Sequence, residues 1–222
     1  MCSSRDSALP ETLYARLFAR FYDRFMNRIE TTVLLHRRKR LLRPLRGKIL
    51  EVGSGTGINF PLYSPGADVL AIEPSRSMMQ KAEERMTSLG FSRNAGSSPE
   101  IRTATLGIGD PELENLVPPN SVDAVVFTLV LCTVPDPEYA IRFAKSRLKK
   151  GGKLLLLEHV RASTSAGRIL QKTLNPFWTR FAQGCNLDRE PVSLVRAAGF
   201  RLLEEDRFRD TLPFYQAIYE SI

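Results

Sequence analysis

Three cysteines, Cys2, Cys132 and Cys185, are all that 222 residues contain, and they stand far apart. On that count and spacing neither a disulfide framework nor a zinc site is expected, no metal is called for, and a reducing compartment is implied. Long apolar runs are missing too. The stretches 124–135 and 154–157 fall short of the roughly 20 apolar residues that a membrane-spanning helix needs. The first 21 residues carry scattered charges and no continuous apolar segment, so no secretory signal is expected, and a cytoplasmic location follows. Internal repeats and low-complexity linkers are absent. With 43% hydrophobic and 25% charged residues in 25.0 kDa, disordered, collagen-like and coiled-coil classes drop out and one compact unit remains.

Acidic residues are scarce in one place. Residues 1–48 hold 12 Lys and Arg against 4 Asp and Glu, whereas the rest of the chain is balanced at 20 of each, so the whole formal charge of +8 belongs to the N-terminal fifth. There Leu13, Tyr14, Leu17, Phe18, Phe21, Tyr22, Phe25 and Ile29 recur at three- and four-residue spacing, and Arg16, Arg20, Arg24 and Arg28 follow at i, i+4. That spacing predicts a basic amphipathic helix. Three uses stand open: a lid over a substrate pocket, a helix lying in a lipid interface with its arginines toward headgroups, or a helix packed on its own core. A second helix is expected from about Thr31 to Leu42, stopped by Pro44, with Arg37-Arg38-Lys39-Arg40 solvated or facing phosphates. Residues 1–46 then form a helical lid or surface-binding segment, with peripheral membrane contact through 13–48, and 47–222 form a single domain.

From Gly47 onward strands and helices alternate. Strands are expected at 48–52, 68–73, 100–105, 122–131 and 153–159, then at 201–208 and 214–221 around a turn at 210–213. Helices are expected at 75–89 and 137–148, with another beginning at 58–63. The order predicts an α/β fold of the doubly wound, Rossmann-like kind: a mostly parallel seven-stranded sheet with an antiparallel last strand and helices on both faces.

The first strand runs into Glu51-Val52-Gly53-Ser54-Gly55-Thr56-Gly57, a glycine-rich turn that lets a ligand approach the backbone closely. A phosphate loop would need Lys-Ser/Thr after the last glycine, where Ile58-Asn59 stand. A dinucleotide fingerprint would want Gly or Ala at Ile58. What remains is acidic-x-Gly-x-Gly-x-Gly, with a second acidic strand end, Glu73, 22 residues after Glu51. In these features the chain resembles the class I S-adenosylmethionine-dependent methyltransferases, from Leu13 onward. The resemblance implies an enzyme in which Glu51, Gly53, Ser54, Gly55, Thr56 and Gly57 wrap the methionine part of S-adenosylmethionine. Glu73 would hold both ribose hydroxyls through a charge-assisted pair of bonds, with Pro74 and Met78 beside it. Gly109 and Asp110 would border the adenine, with Glu112 as substitute for Asp110, and Thr128 and Leu129 would pass along the cofactor's inner side.

The acceptor is narrowed by a further absence. After the fourth strand the chain reads Thr128-Leu129-Val130-Leu131-Cys132-Thr133-Val134-Pro135, without the Asn/Asp-Pro-Pro-aromatic element of enzymes that methylate nucleobase amines, so a nucleic-acid partner is not expected. Leu129-Val130-Leu131-Cys132, Glu158-His159-Val160 and the stretch from Gly184 to Glu190 after Pro176-Phe177-Trp178 resemble the methyltransferase-like 7 thiol methyltransferases and the related quinone C-methyltransferases, over roughly 47–200. Members of that branch carry a hydrophobic anchoring segment where this sequence has its basic helix. The likeness implies a small, largely apolar acceptor, sulfur ahead of carbon, with C-methylation of a quinone precursor or lipid methylation as alternatives. His159 would be base or hydrogen-bond partner, since an imidazole of pKa ~6.5 suits proton exchange near neutrality. Cys185, Asn186 and Arg189 would form a polar wall, and Tyr14, Phe18, Tyr22, Phe177 and Trp178 the acceptor pocket. Two other classes stand beside this reading: a basic membrane- or nucleic-acid-binding module with a relic cofactor fold, and a nicotinamide oxidoreductase.

Overall fold

The computed structural model describes residues 11–91 and 98–222; Cys2 and the start of the N-terminal segment lie outside them. The chain enters on a helical rod of three pieces. Helix α1 (Leu13–Ile29) is capped by Thr12, whose side chain accepts the Ala15 N–H; a π-helical turn (Glu30–Leu34) follows, and α2 (Leu35–Leu42) completes the rod. The break expected near Thr31 is this wide turn. The Thr31 and Thr32 hydroxyls donate to the carbonyls of Asn27 and Arg28, each at 2.7 Å, so the chain passes through without a loop.

Seven strands follow: β1 (Gly47–Val52), β2 (Ala67–Ile72), β3 (Glu100–Ala104), β4 (Val122–Thr128), β5 (Leu148–His159), β6 (Phe200–Arg209) and β7 (Pro213–Ser221). They lie in the order β3-β2-β1-β4-β5-β7-β6, parallel from β3 to β5, with β7 antiparallel to both its neighbours. The expected sheet is therefore present. Between the strands lie α3 (Arg76–Ser88), α4 (Pro111–Leu116), α5 (Pro137–Arg147), α6 (Ser165–Phe181) and α7 (Pro191–Ala197). The helix expected from 58 is only a 3-10 turn, Phe60–Leu62, because the buried Asn59 side chain holds the segment down and Pro61 follows. The strand expected to reach 131 ends at Thr128, where Leu129 turns into the left-handed region at φ 59°.

Both faces of the sheet are covered, and the strands alternate between two apolar layers. Leu50, Val52, Val125, Phe127, Leu154 and Leu156 pack with α5 and α7 side chains such as Ile141 and Val195. Ile49, Val126, Leu155 and Leu157 pack with Leu34, Leu41 and Leu42 of the rod and with Phe60 and Met79. The rod is thus part of the core. Chain order reverses between β1 and β4, and open α/β sheets bind ligands in the crevice at the carboxyl ends of strands flanking such a point.

The basic run of α2 is not a solvated stripe. Arg38 is 3% exposed, with Nε 3.0 Å from the buried Glu30 carboxylate and Nη1 donating to Asn59 Oδ1 at 2.9 Å. Arg37 pairs with Asp206 and stacks over Phe208 at 3.5 Å, and Arg40 pairs with Glu204, so these side chains clamp the rod onto β6. Removing one member of a buried ion pair strands the other charge, at about 3–5 kcal/mol. Arg38→Ala should therefore lower stability by that amount in urea unfolding, whereas Lys39→Ala, outside these pairs, should change it by less than about 0.5 kcal/mol.

Candidate active site

A cavity of about 870 Å³ opens at the reversal point. One end is the turn after β1. A Cβ at Gly53 would lie 2.1 Å from Val130 Cγ2, and φ is +64° there, so only glycine lets β1 and the segment after β4 close together. At Gly55 (φ +56°) the place of a Cβ is open, with nothing within 4 Å. The adjoining wall is Glu73, just past β2, whose Oε2 accepts the Gly55 N–H at 3.1 Å and whose Oε1 accepts the Ser75 N–H at 2.9 Å. Burial raises the Glu73 pKa, and these two N–H groups counter that. Ser54 contributes a buried hydroxyl with no protein partner.

The other end is built from sulfur and imidazole. His159 ends β5, and its Nε2 lies 2.9 Å from Cys185 Sγ; Cys185 Sγ lies 3.6 Å from Cys132 Sγ and accepts the Trp178 indole N–H at 3.3 Å. The hydrogen bond between the two cysteines is the main influence drawing the Cys185 thiol down, against burial, with His159 and Trp178 helping. Cys132 is pushed well up by the same bond and by burial. Burial alone would lower the His159 pKa, but its bond to Cys185 outweighs that and leaves it raised. These shifts run in opposite senses, the Cys185 thiol downward and the His159 imidazole upward, so each favours the charged form of the other. Dispersed in sequence, the two cysteines are neighbours in the fold: 53 residues separate sulfurs that lie side by side, and they close with His159 into a group of potential metal ligands.

Between the two ends, one stripe of α1 forms the roof, with Phe18, Tyr22, Met26 and Ile29 facing the cavity. The roof is pinned at several points. Glu11 bonds Ser75 Oγ at 2.6 Å and Ser77 N at 3.1 Å, Asp23 accepts from Thr56 Oγ1 at 2.6 Å and pairs with Arg85 at 2.5 Å, and the Tyr14 hydroxyl reaches the Phe181 carbonyl.

Of the residues singled out from sequence, Gly53, Ser54, Gly55, Thr56, Glu73, Pro74, Met78, Thr128, Leu129, His159, Cys185, Phe18, Tyr22 and Trp178 come together around this cavity. The others lie elsewhere, each for a visible reason. The Glu51 carboxylate is buried behind the glycine turn, where it accepts from Asn59 Nδ2 at 2.8 Å and from Tyr63 at 2.9 Å. Gly57 packs against the Phe60 ring. Gly109 stands before α4, Asp110 caps that helix by accepting the Glu112 N–H, and Glu112 is exposed in its first turn, outside the cavity lining. Asn186 lies before α7, where it bonds Gly184 O and contacts the Cys132 carbonyl. Arg189 donates to the carbonyls of Leu131 and Val134, at 2.7 and 2.5 Å. Phe177 is 77% exposed, and Tyr14 lies at the rim. Cys132, Val130 and Met26 are cavity residues that sequence reasoning passed over; the Leu-Val-Leu-Cys motif was the available signal for the first two.

The chain matches the methyltransferase-domain family over residues 22–205. It is 35% identical to the human thiol S-methyltransferase TMT1A over 157 residues, covering 70% of this chain and 61% of that one. With the rat thiol S-methyltransferase TMT1B it shares 32% identity over 153 residues, 68% of this chain and 59% of the relative. It thus spans about 60% of the length of these relatives. Among solved structures it is similar to a putative methyltransferase from Bacillus halodurans, at a TM-score of 0.67 and 14% identity over 84% of this chain and 98% of that one, a likeness in fold.

The buried Glu51 offers a test that needs no ligand. Burial raises its pKa from 4.5 to about 7 against its bonds to Asn59 and Tyr63. A carboxyl with a raised folded-state pKa favours folding while protonated, so its contribution is full below about pH 4.5 and is lost as pH climbs through 7. Glu51→Gln keeps the acceptor for Asn59 and cannot ionise. Relative to the parent it should gain on the order of 2 kcal/mol between pH 4.5 and pH 8, read by chemical denaturation at each pH.

Proposed function

We propose, from the premise that this chain belongs to the S-adenosylmethionine-dependent methyltransferases, that it methylates the sulfur of a small, largely apolar thiol. The observation that carries this reading is the cavity itself, with an open glycine turn and a buried carboxylate at one end and a sulfur–imidazole group under an aromatic roof at the other. The thiol S-methyltransferases named above support the same acceptor class.

The first end fits the cofactor. Space stands open at Gly55, the buried Ser54 hydroxyl lacks a partner, and each Glu73 oxygen accepts a single N–H, which leaves lone pairs for a vicinal diol. Gly53, Gly55, Glu73, Pro74, Met78, Thr128 and Leu129 would hold it. Bound S-adenosylmethionine supplies an electrophilic methyl group on a sulfonium. The protein's own task is to align the acceptor with that methyl and keep water away, and alignment of this kind is worth on the order of 7–11 kcal/mol. Phe18, Tyr22 and Trp178 suit an apolar acceptor body. A free thiol is only a few per cent ionised at neutrality, so the polar end must stabilise its anion. His159, whose Nε2 lies against Cys185, is the nearby side chain that can hydrogen-bond that anion and through which its proton can pass.

A peripheral membrane contact is the second part of the proposal. Helix α6 turns its apolar residues outward, with Ile169, Leu170, Leu174, Phe177 and Phe181 exposed beside Arg168, Lys172 and Arg180. The outer stripe of α1 does the same with Leu13, Leu17 and Phe21 among its arginines, and Phe181 meets Phe18 and Phe25 edge-on where the two helices join at the cavity mouth. Apolar side chains amid cations suit an anionic lipid interface. Among the described residues no helix is long and apolar enough to cross a membrane.

Titration calorimetry should show one S-adenosylmethionine site per chain, weakened about 10- to 100-fold in Glu73→Gln through loss of a charge-assisted bond. Labelled methyl should pass to hydrogen sulfide or alkyl thiols; transfer to a quinone precursor with none to thiols overturns the acceptor. In vesicle flotation the chain should rise with anionic liposomes, and Leu170→Asp with Phe177→Asp should abolish this without altering cofactor affinity. Equal flotation of both forms removes the membrane contact.

A further inference from the structure

We infer that Cys132, His159 and Cys185 form a binding site for one thiophilic divalent cation, zinc foremost, whose fourth coordination position faces the cavity and takes an exogenous thiol. The inference deepens the thiol reading in its second half only, because the cation site rests on geometry that does not depend on the acceptor.

Three ligand atoms, one from each residue, lie within 4.8 Å of one another. Metal–sulfur bonds of about 2.3 Å at tetrahedral angles place two sulfurs about 3.8 Å apart, and the Cys132 and Cys185 sulfurs stand 3.6 Å apart. The 2.9 Å His159–Cys185 contact is a hydrogen bond that a cation would replace, and the imidazole needs to withdraw by well under 1 Å. Each ligand sits on a separately fixed support. Cys132 follows the turn after β4, with its carbonyl bonded to the Asn186 N–H at 2.8 Å; His159 pairs with Phe214 across the β5–β7 ladder; and the Cys185 carbonyl accepts from Thr179 Oγ1 at 3.2 Å. A preformed site of this kind loses little entropy on loading.

The donor set selects the ion. Two thiolates and an imidazole suit zinc and other soft cations, whereas magnesium and calcium want oxygen. Two thiolate charges also cancel the charge of a divalent ion, which matters where the ligands are buried or half-buried. The Trp178 N–H directed at Cys185 Sγ at 3.3 Å would remain as an outer partner of the metal-bound thiolate. All three residues line the cavity, so the position left by three protein ligands opens where the acceptor would lie. Three protein ligands and one open position form the pattern of reactive rather than structural zinc sites. With the cation in place His159 is a ligand and no longer handles the proton, so a thiol entering there gives its proton to solvent and binds as thiolate.

The test begins with reduced, chelator-treated full-length chain titrated with Co²⁺ and then Zn²⁺. One Co²⁺ per chain should bind, with a near-ultraviolet thiolate-to-cobalt band and the visible bands of four-coordination, and Zn²⁺ should displace it. Zinc should also shield two thiols from a thiol reagent while Cys2 still reacts, a readout on the unaltered chain. Cys185→Ser should weaken binding by more than about 100-fold, beyond the cost of losing an outer-shell partner, whereas Cys2→Ser should leave it unchanged. Absence of the sulfur–cobalt band, a spectrum untouched by Cys185→Ser, or loss of two thiols to a disulfide under mild oxidant with no zinc effect would overturn the site. Ethanethiol should shift the cobalt bands. If the bands form and ethanethiol leaves them unmoved, the open position is overturned and the cation site stands; if they shift but no thiol is ever methylated, the acceptor reading fails alone.

Discussion

One buried guanidinium, that of Arg38, ties together the parts that make the cavity. It meets Glu30 in the π-helical turn and donates to Asn59, whose amide in turn donates to Glu51 at the end of β1 and to Thr128 at the end of β4, at 2.8 and 3.0 Å. Tyr63 closes the network from the segment after the 3-10 turn. Every link lies in the interior, where an unpaired charge is costly, so the members hold or fail together. The two strand ends flanking the ligand crevice and the roof over it are fixed by the same set of bonds. The acidic residue that opens the glycine motif is thus a structural anchor here, and the carboxylate presented to the cavity is Glu73.

The alternation of strands and helices was readable because buried parallel strands are continuous apolar runs, and Lys48–Val52 or Leu154–Leu157 admit little else. The glycine turn was readable because positive φ and close backbone approach leave few residue choices. What was illegible had its physical signal inverted or shared. Helix α6 was missed although its apolar residues recur at helical spacing, because Pro176 stands inside it and reads as a helix stop. Asp110 was read as a ligand residue, but Asp-Pro is also a helix start, and its side chain caps α4. The sulfur–imidazole group could not be read from spacing, since its members sit at the ends of different elements and only the sheet order makes them neighbours.

The two apolar stripes of α1 resolve what sequence periodicity left as one. Phe18, Tyr22 and Ile29 face the cavity, while Leu13, Leu17 and Phe21 face out, so the helix is roof and outer surface at once. The readings as lid and as lipid contact therefore do not compete. The mouth of the cavity lies between the two helices whose apolar residues face outward.

The polar end of the cavity depends on a strained turn. Leu129 adopts φ 59°, a conformation that costs a non-glycine residue about 1–3 kcal/mol and persists only where neighbours over-determine it. The neighbours are identifiable. The Leu129 N–H donates to the Leu157 carbonyl at 2.8 Å, and the next two N–H groups, of Val130 and Leu131, both donate to one oxygen of the buried Glu158 at 2.9 and 3.0 Å. The pair at the end of β5 divides the work: Glu158 holds the turn, and His159 faces the cavity. With the turn held in this way, Val130 closes against Gly53 and Cys132 arrives beside Cys185. Relaxing Leu129 to an extended conformation would redirect the chain before Cys132 and separate the two sulfurs, so the strain stored at one residue is what brings the cavity's chemistry into a single place.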